Sequence, residues 1–127
     1  MFIQDTQNFP VVKISYESTD GISLEENIAR FEALLDRQQP FVLVGEGPTP
    51  TQQASHEERK FIATWVKQKR QDLAEFVKAL VHIEADEQAR LLMQKFANNY
   101  VKFAGYPMFV VTDQQQAQQI VRSVLKH

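Results

Sequence analysis

The chain is expected to fold as an α/β domain: a mainly parallel sheet of four to five strands with about four helices. Three observations predict this. Short β-branched and aromatic runs alternate with longer segments whose apolar residues recur at helical spacing. Helix-start residues stand at the head of each helical segment. The 127 residues suit one domain spanning 1–127, with no linker or repeat dividing it.

Phe2-Ile3 starts a short strand, and Asp5 to Asn8 form a turn into Val11 to Tyr16. By the two-residue period, Val12, Ile14 and Tyr16 share one face of that second strand. Asp20-Gly21 breaks it. Ser23, with Glu26 three residues on, reads as a capping box for a first helix running to about Arg37. Its stripe is Leu24, Ile28, Phe31, Leu34 and Leu35, each worth ~1.5–3 kcal/mol when buried, before entropy is subtracted.

Pro40 ends this helix, and Phe41-Val42-Leu43-Val44 is apolar without alternation, as in a strand covered on both faces. Gly45 to Thr51 then reads as a loop, because glycine and proline interrupt both regular structures. Ser55 and Glu58 form a second capping box, and the helix they open carries Ile62, Trp65, Val66 and Leu73 on one face. Val77 to Ile83 is the next strand, with Asp72 to Phe76 blurring its start. Asp86 caps a helix with the stripe Ala89, Leu92, Phe96, Tyr100 and Phe103, which Gly105 terminates before Pro107. Pro107 to Val111 is the last strand. Asp113 caps a closing helix with Ala117, Ile120, Val121, Val124 and Leu125 inward. The order is β(β)αβαβαβα, and single helices between strands imply right-handed crossovers.

Composition removes several function classes. There is no cysteine, so disulfides, thiolate metal sites and cysteine nucleophiles are absent, in keeping with a reducing, cytoplasmic setting. Acidic residues exceed basic ones, 16 against 14, which disfavours duplex nucleic acid as a partner. Lys67-Gln68-Lys69-Arg70 reads as a solvated helix end. No apolar run approaches the ~20 residues of a membrane span, and the N-terminus does not read as a signal peptide.

Ligands of open α/β sheets gather beyond the carboxyl ends of the strands. Of the three loops expected there, the one from Gly45 to Ser55 is the most suggestive. It holds Gly45, Gly47, Thr49 and Thr51, and it delivers Ser55 at a helix start, with Arg59 and Lys60 on the first turns. It lacks the phosphate-loop and dinucleotide glycine signatures, so a structural loop before a capped helix is the plainer reading. His82 lies on a strand without metal-ligand spacing and reads as a structural or surface histidine. Ser55 and His56 are adjacent and cannot form a triad. His127 is terminal. Phe61, Trp65 and Tyr100 at helical spacing read as core before they read as a cofactor slot. No catalytic, cofactor or metal residue is assigned.

Val11 to Arg37, the Phe41–Val44 strand with its polar loop and helix, and the ending Tyr106 to Asp113 followed by Ala117 together resemble the STAS-like fold, in particular the anti-sigma-factor-antagonist-like (SpoIIAA-like) group. The resemblance implies a bacterial-type, non-enzymatic module for protein interaction or ligand sensing. It sets Ser55 at the position of that group's phosphoserine, but the acidic residue and glycine of the motif are missing from Gln53-Ala54-Ser55-His56. Stoichiometric phosphate on Ser55 is therefore not expected. The leading expectation is a non-catalytic interaction module with a protein partner. A domain that binds a small anionic or apolar ligand is the alternative, and an enzyme ranks last. A homodimer is expected to form, if at all, through the edge of the Phe2-Ile3 strand.

Overall fold

A computed structural model describes residues 2–16, 23–46 and 55–125, and these form five strands and five helices. Strand β1 (Phe2–Asp5) and strand β2 (Val11–Ser15) make the antiparallel hairpin. Helix α1 (Leu24–Asp36) leads to β3 (Phe41–Glu46). Helices α2 (His56–Gln68) and α3 (Arg70–Phe76) lead to β4 (Val77–Ile83), α4 (Glu87–Ala104) leads to β5 (Met108–Val111), and α5 (Gln114–Leu125) follows. The sheet runs β1-β2-β3-β4-β5, parallel from β2 onward.

The expected α/β class and mainly parallel sheet are observed, with one helix more than the four expected. The difference lies at Lys69, where the helix from Ser55 breaks; α3 then passes straight from Phe76 into Val77. Neither glycine nor proline stands at the break, so composition does not mark it.

Because the strand order never reverses, right-handed crossovers place every connecting helix on the same face of the sheet. Phe31, Leu34 and Leu35 of α1, Trp65 and Val66 of α2, Leu73 of α3 and Ala97, Tyr100 and Ala104 of α4 close one core against Val12, Ile14, Phe41, Leu43, Leu80 and Met108. Helix α5 covers the opposite face, where Ala117 packs with Val42, Ala79, Val81, Ile83 and Val111. This explains the two kinds of strand sequence. β3 and β4 are covered on both sides and read as continuous apolar runs. In β2, Val12 and Ile14 are buried while Lys13 is exposed, which gives alternation.

The helix ends follow the expected caps, with the full reciprocal box at Ser55 and its serine half at Ser23. Ser23 Oγ accepts from Glu26 N (3.1 Å). Ser55 and Glu58 form the reciprocal box, with Glu58 N donating to Ser55 Oγ at 3.1 Å and Ser55 N to Glu58 Oε1 at 3.4 Å. Asp86 and Asp113 accept from Ala89 N and Gln116 N. Gly105 takes a left-handed conformation (φ 89°) and its N–H reaches Val101 O, closing α4.

The edge of β1 is partly engaged within the chain. Ile3 is buried, its N–H donates to Asn27 Oδ1 of α1 (2.8 Å), and Arg30 Nη1 reaches its carbonyl (3.5 Å). The outward backbone of Ile3 is thus occupied within the chain and does not offer the unpaired template that edge dimerisation needs.

Candidate functional site

Register brings three residues into a row at the carboxyl ends of the strands. Ile14, Gly45 and His82 are neighbours across β2, β3 and β4, and Tyr16 lies two residues beyond Ile14 on the same face. The Tyr16 ring crosses β3 and its hydroxyl comes within 2.7 Å of His82 Nδ1, with ring centroids 5.2 Å apart. The crossing needs the absence of a side chain at position 45. A Cβ there would lie 2.7 Å from Tyr16 Oη and 2.9 Å from Cζ, closer than real contacts allow.

Gly45 is therefore not part of an exposed loop, as its residue type predicts, but a buried strand residue beneath an aromatic ring. Glycine by residue type predicts a break, whereas here it provides the close approach that sheets also use it for.

Burial governs the protonation of the pair. It pushes the His82 imidazole below its ordinary value, with the Glu84 charge opposing it in part. It pushes the Tyr16 hydroxyl up, with a smaller contribution from Tyr100. Both groups are then neutral near pH 7. In the tautomer carrying its proton on Nε2, His82 Nδ1 accepts from the Tyr16 hydroxyl. No group of three His, Asp or Glu side chains that could hold a metal occurs among the described residues.

The topology also argues against a ligand crevice at this edge. Such crevices form where strand order reverses and neighbouring crossovers diverge to opposite faces. In the order β1-β2-β3-β4-β5 no reversal occurs.

The remaining expected residues are dispersed. Ser55, Arg59 and Lys60 are exposed at the start of α2, with Ser55 acting as the cap. Gly47, Thr49 and Thr51 lie outside the described residues, as does His127. Phe61 and Trp65 line one shallow hollow on α2 together with Lys60, but Tyr100 is not part of it. Trp65 is buried, packs edge-on against Phe31 and donates its indole N–H to Glu32 Oε1 (2.8 Å). Tyr100 is buried and its hydroxyl pairs with that of Tyr106 at 2.9 Å. Phe61 is exposed.

The largest departure from the sequence reading is on α4. Of its expected inward stripe, Ala89 is half-buried and Tyr100 alone is fully buried. Leu92 is 68% exposed and Phe96 57%, and Phe103 is also exposed. The face that meets the sheet is Ala97, Tyr100 and Ala104, with Met93 partly buried. At 100° per residue, Leu92, Phe96, Asn99 and Phe103 fall within about 60° of one another and form a single outward row. Leu91, more than half exposed, lies about 100° around the helix from Leu92 and outside this row. The helix is apolar on two adjoining faces, and periodicity reported the wrong one because alanines line the true contact. A close helix-to-sheet approach through Ala97 and Ala104 leaves the bulkier residues outside.

Comparison with family models, curated proteins and solved structures returns no match for this chain.

Proposed function

We propose that this domain is a non-catalytic protein-interaction module of STAS-like type, and that its docking surface is the outward row of α4. The observation that carries this reading is the set of large apolar residues left in water along one helix face: Leu92, Phe96 and Phe103. Scattered exposed apolar residues need no explanation, but a contiguous row on one element is the mark of a contact surface. Tyr16 and His82, the polar pair at the strand ends, are hydrogen-bonded to each other. No helix among the described residues is long and apolar enough to cross a membrane.

The test is a pull-down from native lysate with the wild-type chain and Phe96→Glu in parallel. A protein retained by the first and lost from the second is the expected result. Empty lanes for both, together with a thermal shift produced by a small metabolite, would replace this reading with ligand binding at the strand ends. One observation favours that second reading, namely that Tyr16 and His82 lie at the carboxyl ends of the strands, although the unreversed strand order opens no crevice there. A ligand at 100 times its dissociation constant would then add ~2.7 kcal/mol of stability.

A further inference from the structure

We infer that the α4 row receives an acidic amphipathic segment of a partner protein, an inference that rests on the interaction reading above. The charge distribution along the chain carries it. The protein as a whole has a net charge of −2, yet no acidic residue occurs from Gln88 to Thr112, a stretch that includes all of α4 after its first residue. Over the same helix stand Arg90, Lys95 and Lys102. Lys95 and Lys102 are seven residues apart and share one side of the apolar row, both exposed, next to Leu91. Arg70 of α3 lies at the far end, its Nη1 donating to the carbonyl of Phe103 (3.1 Å). An apolar row bordered by positive charge is complementary to a helix with aliphatic residues on one face and carboxylates beside them.

The same distribution counts against the other occupants of such a face. A second copy docked by a two-fold axis would set Lys95 and Lys102 against their own counterparts with no carboxylate on the helix face to offset them. An anionic membrane surface attracts the lysines, but it repels a domain whose net charge is negative. The row from Leu92 to Phe103 spans only about 16 Å of helix, and the opposite face of α4 is committed to the sheet. One short partner helix matches that length.

The experiment uses the full chain and two synthetic peptides of about 20 residues, each with leucines at i, i+3, i+4 and i+7. One carries glutamates beside the leucines and the other lysines. Fluorescence anisotropy should show binding of the glutamate peptide only, weakening as salt rises. Phe96→Glu should reduce its affinity about tenfold or more. The double variant Lys95→Glu/Lys102→Glu should reduce it and shift preference to the lysine peptide. Circular dichroism of each variant verifies that it is folded, and Phe96→Ser serves where Phe96→Glu is not.

Equal binding of both peptides, lost in the Phe96 variant, would overturn the acidic partner while leaving the interaction reading intact. No binding of either peptide, with a lysate protein still lost from Phe96→Glu, would do the same. A dimer in sedimentation equilibrium that Phe96→Glu dissolves would overturn it in favour of a second copy. Co-sedimentation with phosphatidylcholine–phosphatidylglycerol vesicles, abolished by the same variant and unaccompanied by peptide binding, would overturn it in favour of a membrane. No peptide binding together with no Phe96-dependent lysate partner would remove both the inference and the reading on which it rests.

Discussion

The strand-end pair and the outer row of α4 are opposites in chemistry and in placement. Tyr16 and His82 are polar and turned inward, bonded to each other over a glycine. Leu92, Phe96 and Phe103 are apolar and turned outward. In the first region every substitution disturbs a packed and mutually satisfied arrangement, so its residues should matter for stability. In the second, Leu92 and Phe96 are each more than half exposed, so their loss should weigh less on folding.

The largest expected effect comes from Gly45→Val. The new side chain meets the Tyr16 ring, displaces it and breaks its bond to His82, for a loss of about 3 kcal/mol, at the upper end of the usual overpacking range. Urea unfolding reads this directly, and a midpoint unchanged from wild type would show that the ring has room to move. Tyr16→Phe keeps the ring and deletes the hydroxyl. Leaving His82 Nδ1 without its partner should cost about 1–3 kcal/mol.

The pair also sets a pH signature. Because burial holds the His82 pKa below its ordinary 6.5, the unfolded chain takes up the proton first as pH falls. The stability tied to neutral His82 is complete above 6.5 and is lost as pH falls from there through the lower folded value. Thermal unfolding from pH 8 downward should show this slope in the wild type and a reduced slope in His82→Asn. Identical slopes would mean that the imidazole is equally protonated in both states.

An intermediate effect belongs to Ser55, which holds α2 through its capping box. Ser55→Ala should cost ~0.5–2 kcal/mol and Ser55→Asp less, since aspartate also accepts from the backbone. Equal losses would show that the cap contributes nothing. The smallest effect is expected on α4. Leu92→Gln should change stability by no more than about 0.5 kcal/mol, because Leu92 is 68% exposed, whereas the Phe96 ring lies 5.6 Å from that of Tyr100. A loss several times larger would place Leu92 in the core and dissolve the contrast between the two regions.

Local signals in the chain determined most of the element order. Paired Ser–Glu spacing, aspartate caps and the Gly105–Pro107 stop mark the helices because they report on backbone hydrogen bonds within a few residues. Alternation in β2 and its absence in β3 foretold how many faces of each strand are covered, since a strand exposes its burial two residues at a time. Even the side of β2 on which Tyr16 stands was legible. What Tyr16 touches was not, because its partner is 66 residues away and meets it only through the register of three strands. The break at Lys69 was equally hidden, and so was the change of Gly45 from loop breaker to strand residue. On α4, helical spacing is consistent with either of two adjoining apolar faces. Tertiary packing chose the one with the small residues, because Ala97 and Ala104 let the helix approach the sheet closely, and that choice left the phenylalanines facing the solvent.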